Sequence, residues 1–254
     1  MSKVALQARG LRAELGGVEV LHGIDLTLPA GRWTAVVGPN GAGKTTLLKC
    51  VANLLPFQGE IEVLGRNAKA LPARERGRLL SWLGQDQTPT SDLSATQVVM
   101  LGRLPHQPWL GAPTAIDHAQ VELAMRQTQC WPWRERSIAS LSSGERQRVL
   151  LARALAVQAP VLLMDEPLNN LDAPHQGDWL ALVRALTAQG TTVVSVLHEL
   201  SIALQADDLA VIGAGQLLHH GPSTSESTHA ALLQVFDHRI ALHPLAGRWV
   251  AMPR

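Results

Sequence analysis

The chain has 254 residues, 46% of them hydrophobic and 17% charged, which suffices for one substantial core and excludes a disordered class. A formal net charge of +1 lends no support to a nucleic-acid or anionic-membrane surface. Two cysteines, Cys50 and Cys130, exclude a disulfide framework and suit a reducing compartment as buried small hydrophobes.

In chain order, Met1-Ser2-Lys3-Val4 lacks the long apolar stretch of a secretory signal, and no apolar run could span a bilayer, so the chain is expected not to cross a membrane by itself. Val4 to Leu11 and Val18 to Leu28 read as short strands, and Trp33 to Val37 as a buried strand running into a glycine-rich loop. Thr45 to Leu55 carries helical spacing and stops at Pro56; Ile61 to Gly65 alternates like an edge strand. From about Thr88 to Ala139, five prolines divide helix-like stretches such as Ala95 to Leu104 and Ala115 to Gln129, a mainly helical insertion. Gly144 to Val157 and Asp178 to Gln189 are expected helices, the second capped by Gly190. Val161 to Met164 and Thr191 to Leu197 suit central parallel strands. Asp208 to Gly221 is expected to turn at Gly213-Ala214-Gly215, with a helical tail beyond.

The loop Gly38-Pro39-Asn40-Gly41-Ala42-Gly43-Lys44-Thr45-Thr46 has the spacing that cradles phosphates. Its glycines let backbone N–H groups converge on phosphate oxygens, and the next helix offers them its positive end. Lys44 would reach the β- and γ-phosphates of ATP, and Thr45 would put its hydroxyl on Mg²⁺. Asp165-Glu166 closes an apolar strand, where adjacent carboxylates are costly without a task. Asp165 is placed to hold the metal, and Glu166 to act as general base on the attacking water.

Leu141-Ser142-Ser143-Gly144-Glu145 resembles the signature of ATP-binding-cassette (ABC) ATPases, Leu-Ser-Gly-Gly-Gln. With the phosphate loop and the Asp165-Glu166 strand, this resemblance spans nearly the whole chain. It implies a single ABC ATPase domain over residues 1–254 of α/β class: a P-loop NTPase core with a mixed, mainly parallel sheet flanked by helices, an N-terminal antiparallel β subdomain, and a helical subdomain inserted at about 88–150. It further implies that Gln85 contacts Mg²⁺ and the attacking water, that His198 hydrogen-bonds the γ-phosphate, and that Asp172 reaches across a dimer interface. Ser142, Ser143, Gly144 and Glu145 would then cover the ATP of a second copy, giving a homodimer with two sites. Val98 to His106, with its Gly102-Arg103-Leu104-Pro105-His106, is similar to a segment in importers of iron chelates, haem and cobalamin. That implies two multi-helix membrane permease subunits as partners, a substrate-binding protein indirectly, no nucleic acid, and a peripheral place on the cytoplasmic face of the inner membrane. A soluble ABC ATPase not tied to transport, or one serving another cargo, stays open as an alternative.

Three departures from the family pattern stand out. Leu15 stands where an aromatic ring usually stacks on adenine, so weaker discrimination between ATP and GTP is expected, stacking being worth roughly 1–3 kcal/mol. Ser143 replaces the first signature glycine, at roughly 1–2 kcal/mol if that residue needs positive φ. Leu168-Asn169-Asn170 replaces a more usual Thr-Ser-Ala-like run before Leu171-Asp172. Trp82, Trp131 and Trp133 are expected to pack rather than stack on a base, and His219-His220 to be surface residues on opposite faces of a strand.

Overall fold

The structure, a computed structural model, describes residues 3–85, 92–108, 111–169 and 171–254. Strands β1 (Val4–Leu15) and β2 (Val18–Pro29) form a hairpin around Gly16-Gly17, with β4 (Gln58–Val63) and the two-residue β5 (Arg66–Asn67) completing an antiparallel sheet in the order β2-β1-β4-β5. Between them in sequence lie β3 (Trp33–Val37) and α1 (Lys44–Val51). Next come α2 (Ala73–Leu79), β6 (Leu80–Leu83), α3 (Ala95–Met100) with a 3₁₀ turn over Leu101–Arg103, α4 (Ala115–Gln127) and α5 (Ser143–Ala156). The chain continues through β7 (Val161–Asp165), α6 (Ala173–Ala188), β8 (Thr192–Val196), α7 (Leu200–Ala203), β9 (Asp208–Gly213) and β10 (Gln216–Pro222). It closes with α8 (Glu226–Val235), β11 (Ile240–Leu245) and β12 (Arg248–Pro253).

The central sheet runs β10-β9-β3-β8-β7-β6, parallel except for the β9–β10 pair. Its inner strands are buried along their whole length, and alternate side chains serve two cores. Trp33, Ala35, Leu162, Met164 and Val193 pack with α5, α6 and the helices inserted after β6, whereas Val36, Val161, Leu163, Val194 and Val196 pack with α1 and the antiparallel sheet. Trp33 meets Trp179 edge-on at 5.5 Å and donates its indole N–H to Ser195 Oγ at 2.8 Å, so its one polar atom is satisfied inside the core.

Several elements differ from the sequence expectation, each for a local reason. Strand β1 continues to Leu15, four residues past Leu11, by bulging at Gly10 (φ 55°) rather than ending. Helix α1 ends at Val51, not Leu55, because Asn53 takes a left-handed φ of 56° and Leu54 N–H returns to Lys49 O. Helix α6 begins at Ala173, five residues early, because the Asp172 carboxylate accepts from His175 N–H and Pro174 fits the first turn. The short α2 and β6 were not expected at all. The tail is helical only through α8; beyond it Ala246-Gly247 (φ 49° and 75°) turns a β-hairpin whose Ala251 N–H and C=O both bond Ser201 Oγ on α7.

His219 and His220 are half-buried rather than on the surface, because α8 lies against β10. His219 Nε2 bonds Thr228 Oγ1 at 2.9 Å, and burial pushes the His220 imidazole below its usual pKa. The tryptophans pack as expected: Arg126 and Arg134 flank the Trp131 ring at 4.9 and 5.0 Å, and Arg148 lies over Trp133 at 4.5 Å. Burial drives both cysteine thiols up to about 11, which makes them inert at neutral pH.

The segment Gly102 to His106 turns inward. A Cβ on Gly102 would lie 2.2 Å from Arg153 O, so only glycine lets this turn touch the α5 backbone. Arg103 is buried, pairing with Asp117 at 3.0 Å and donating to Ala156 O at 2.7 Å; His106 Nε2 bonds Val157 O at 2.8 Å. These two side chains satisfy carbonyls at the C-terminal end of α5 that the helix itself leaves free. Leu104, and Leu101 just before the segment, face outward.

Candidate functional site

Parallel strands bring their carboxyl ends to one edge of a sheet, and ligands of such folds collect there. Gly38 follows β3, Asp165-Glu166 ends β7, Gln85 follows β6 and His198 follows β8. Asn40, Gly41, Ala42, Gly43, Lys44, Thr45, Thr46, Gln85, Glu166 and His198 line an open cleft of about 690 Å³, with Leu15 and Val20 at its rim. Gly38 is dictated by space as well as by backbone conformation: at φ 151° a Cβ there would sit 1.9 Å from Ile212 O.

Lys44 is 5% exposed, and its Nζ donates to Gly38 O and Pro39 O, both at 2.8 Å. Burial lowers the Lys44 pKa, opposed by the nearby Glu166 and Asp165 carboxylates. Thr45 Oγ1 donates to Asp165 Oδ1 at 3.0 Å. Asp165 is wholly buried, which pushes its carboxyl above the usual range, and its Oδ2 has no hydrogen-bond partner among the described residues. An orphaned, buried carboxylate oxygen beside a threonine hydroxyl fits a hard divalent cation. Among the described residues no group of three or more His, Cys, Asp or Glu side chains is placed to hold a metal ion between them.

Glu166 adopts φ 52°, unusual for a residue with a Cβ and costing roughly 1–2 kcal/mol, which the surroundings hold in place. His198 Nε2 lies 2.6 Å from Oε1; Asn169 Nδ2 donates to Oε2 at 2.6 Å, and Gln85 Nε2 donates to the same oxygen. Burial alone would raise the Glu166 pKa, but the bonds from His198, Asn169 and Gln85 outweigh it and keep the carboxyl below its ordinary value. The group is thus ionised and aimed, the condition for accepting a proton from water. Asn169 was not among the expected site residues; its type and its place three residues after Glu166 are the only sequence signals for it.

The signature residues stand apart from this cleft. Ser142, Ser143, Gly144 and Glu145 do not line it among the described residues, and neither does Asp172. Ser142 is the N-cap of α5: its hydroxyl accepts from Glu145 N–H at 3.3 Å while Glu145 Oε2 accepts Ser142 N–H at 2.8 Å. This capping box gives Glu145 a local role, and the Ser142 backbone bond holds its carboxyl below the usual range. Ser143 is the first helical residue, outside the positive-φ set, so the strain conditional on positive φ does not arise. Ser142 and Ser143 are exposed, presenting a helix N-terminus outward. Asp172 caps α6. Asn170, the stretch 86–91 where the helical insertion was expected to begin, and residues 109–110 lie outside the described residues.

Residues 21–169 match the family model described as "ABC transporter". The chain is 38% identical over 256 residues to the hemin import ATP-binding protein HmuV of Streptomyces coelicolor, covering 99% of this chain and 90% of that one. It is 39% identical over 255 residues to the cobalamin import ATP-binding protein BtuD of Halobacterium salinarum, covering 98% of this chain and 64% of that relative's length. Among solved structures, a chain from an inward-facing transporter described as of the metal-chelate type superposes with a TM-score of 0.82 at 24% identity, covering 99% of this chain and 98% of that one. A nucleotide-free ATP-binding cassette from an ABC transporter gives 0.80 at 20% identity, covering 92% and 98%; at these identities the likeness carries the fold. The phosphate loop, the carboxylates at the strand ends and the match over more than half the chain meet in one conclusion: the chain belongs to the ABC transporter family.

Proposed function

We propose that the protein is the ATP-binding and ATP-hydrolysing subunit of an importer for a metal chelate or corrinoid such as a ferric siderophore, haem or cobalamin. It works as a homodimer beneath two multi-helix permease subunits, peripheral on the cytoplasmic face of the inner membrane, with a substrate-binding protein as an indirect partner. The cargo class rests on the relatives named for hemin and cobalamin import. No helix among the described residues is long and apolar enough to cross a membrane, in keeping with a separate permease. The chain is read as one domain, with about 88–150 as its helical lobe, and the exposed Leu101 and Leu104 offer that lobe's apolar contact to the permease.

The observation that carries the ATPase reading is the pairing of a satisfied and an orphaned oxygen on Asp165, directly behind Thr45 and Lys44. Lys44 and the 38–46 loop would hold the phosphates, Asp165 and Thr45 would hold Mg²⁺ with Gln85 beside them, and the ion would offset phosphate charge. Glu166 would take the proton from the attacking water, with His198 on the γ-phosphate. The cleft is open on one side, where water would screen each contact. A charge pair at 4 Å is worth about 1 kcal/mol in water but about 4 kcal/mol at an effective dielectric of 20. A second copy presenting Ser142 and the Gly144 N–H would exclude that water and strengthen what Lys44 does, so bound ATP favours the pair. Light scattering of the purified protein with Mg²⁺ and a non-hydrolysable ATP analogue should show the mass doubling. An unchanged mass, both alone and beside the permease, overturns the proposal.

Leu15 is 42% exposed at the rim of the cleft and offers an aliphatic surface where a ring would stack. Leu15→Tyr should tighten ATP binding about tenfold relative to wild type, within the roughly 1–3 kcal/mol of base stacking. Titration calorimetry of ATP into both proteins checks this, and equal affinities would contradict it; strict adenine preference in the wild type would contradict the weak discrimination expected from Leu15.

A further inference from the structure

We infer that Asn169 is a positioning residue for hydrolysis, holding the Glu166 carboxylate at the angle from which it meets the attacking water. This rests on the reading of Glu166 as the base. The clasp has two points. Asn169 N–H donates to Glu166 O at 3.2 Å, closing the tight turn through Pro167 and Leu168, and Asn169 Nδ2 returns to Glu166 Oε2 at 2.6 Å. Backbone and side chain of one residue therefore fix backbone and side chain of the other. On the opposite side, Glu166 N–H is tied to Val196 O at 3.1 Å, and Oε1 meets His198 at the end of β8.

A carboxylate offers about four lone-pair positions. Asn169 and Gln85 take Oε2, and His198 takes one position on Oε1. Among the described residues the free position is on Oε1, so these donors choose which oxygen faces water and in which direction. An amide suits this work because it donates without competing for the proton. A serine at 169 has a stem one bond shorter and would fall short of Oε2. The run Leu168-Asn169-Asn170, a departure from the family's usual residues, thereby supplies a donor that the usual residue would not. Asn169 also stands three residues before Asp172, so the segment that carries the proposed dimer contact also carries the clasp.

The test is steady-state hydrolysis by the whole protein bearing Asn169→Ala, Asn169→Ser or Asn169→Asp, with the melting transition measured in parallel. Asn169→Ala should lower kcat about tenfold, the rate equivalent of one charge-assisted hydrogen bond, with KM for ATP within about twofold. Asn169→Asp keeps the size, loses the donor and adds a like charge beside Glu166, so it should fall further. Asn169→Ser should resemble Asn169→Ala, and it stands in should the aspartate variant fail to fold. In a Glu166→Gln background, single-turnover rates with and without Asn169→Ala should agree within about twofold, because the two residues act as one unit. Unchanged kcat in Asn169→Ala, a change confined to KM, or an equal further loss in the Glu166→Gln background each overturns the assignment. Full activity in Glu166→Gln alone would instead remove the base, a distinct result.

Discussion

Replacing Glu166 by Gln should lower steady-state ATP hydrolysis by about 10²–10⁴-fold, the usual worth of a general base and equal to about 2.7–5.4 kcal/mol of barrier. Nucleotide affinity should stay within about threefold, because Lys44 and Thr45 keep their places at 2.8 and 3.0 Å from their partners. The variant suits the site sterically. Glutamine can still accept from Asn169 and Gln85 on its carbonyl oxygen, and its amide can donate to His198 Nε2 once that imidazole shifts its proton to Nδ1. What is lost is the capacity to take a proton, so ATP-bound pairs should accumulate. Phosphate release and light scattering on one sample measure both effects. A wild-type rate would remove Glu166 from the role, and lost binding would mean the substitution had damaged the phosphate site instead.

The buried strands and the phosphate loop were legible because their physics is local. Trp33 to Val37 is apolar without interruption and leads straight into glycines, and the same residues form β3 and the loop. The Gly213-Ala214-Gly215 turn was legible for the same reason, with Ala214 and Gly215 at φ 46° and 74°. Where the reading missed, the deciding contact was remote or a single residue outvoted the pattern. Asn53 stopped α1 inside an apolar run, and Asp172 with Pro174 started α6 ahead of its apolar stripe. The last hairpin depends on Ser201, some fifty residues earlier, and no local pattern announces that pairing. Asn169 belongs to the same class: its contact with Glu166 requires the left-handed backbone at Glu166, which sequence does not display. The segment Gly102 to His106 was read for its likeness to importers, which implied a permease partner but no structural task for its residues. Its glycine, arginine and histidine prove to be internal joints between the lobe and the far end of α5.

That joint yields the largest expected loss of stability. Arg103 and Asp117 are each 5% exposed at the side chain, so neither charge has water to fall back on. Arg103→Met fills a similar volume but leaves Asp117 Oδ1 and Ala156 O without their donors. Breaking one side of a buried pair costs about 3–5 kcal/mol. The lower end applies here, because Asp117 Oδ2 keeps two bonds from the Thr114 N–H and hydroxyl. The unfolding midpoint in urea should shift accordingly, with the slope unchanged. Adding Asp117→Asn to Arg103→Met should recover part of the loss: asparagine retains an oxygen for Thr114 and removes the uncompensated charge. If the double variant is no more stable than the single, stranded charge is not the source of the loss, and the lost bonds to Ala156 O and Gln158 Oε1 must account for it. If the single variant is as stable as wild type, Arg103 does not hold the lobe to α5, and the end of that helix opposite Ser142 must be fixed by Gly102 and His106.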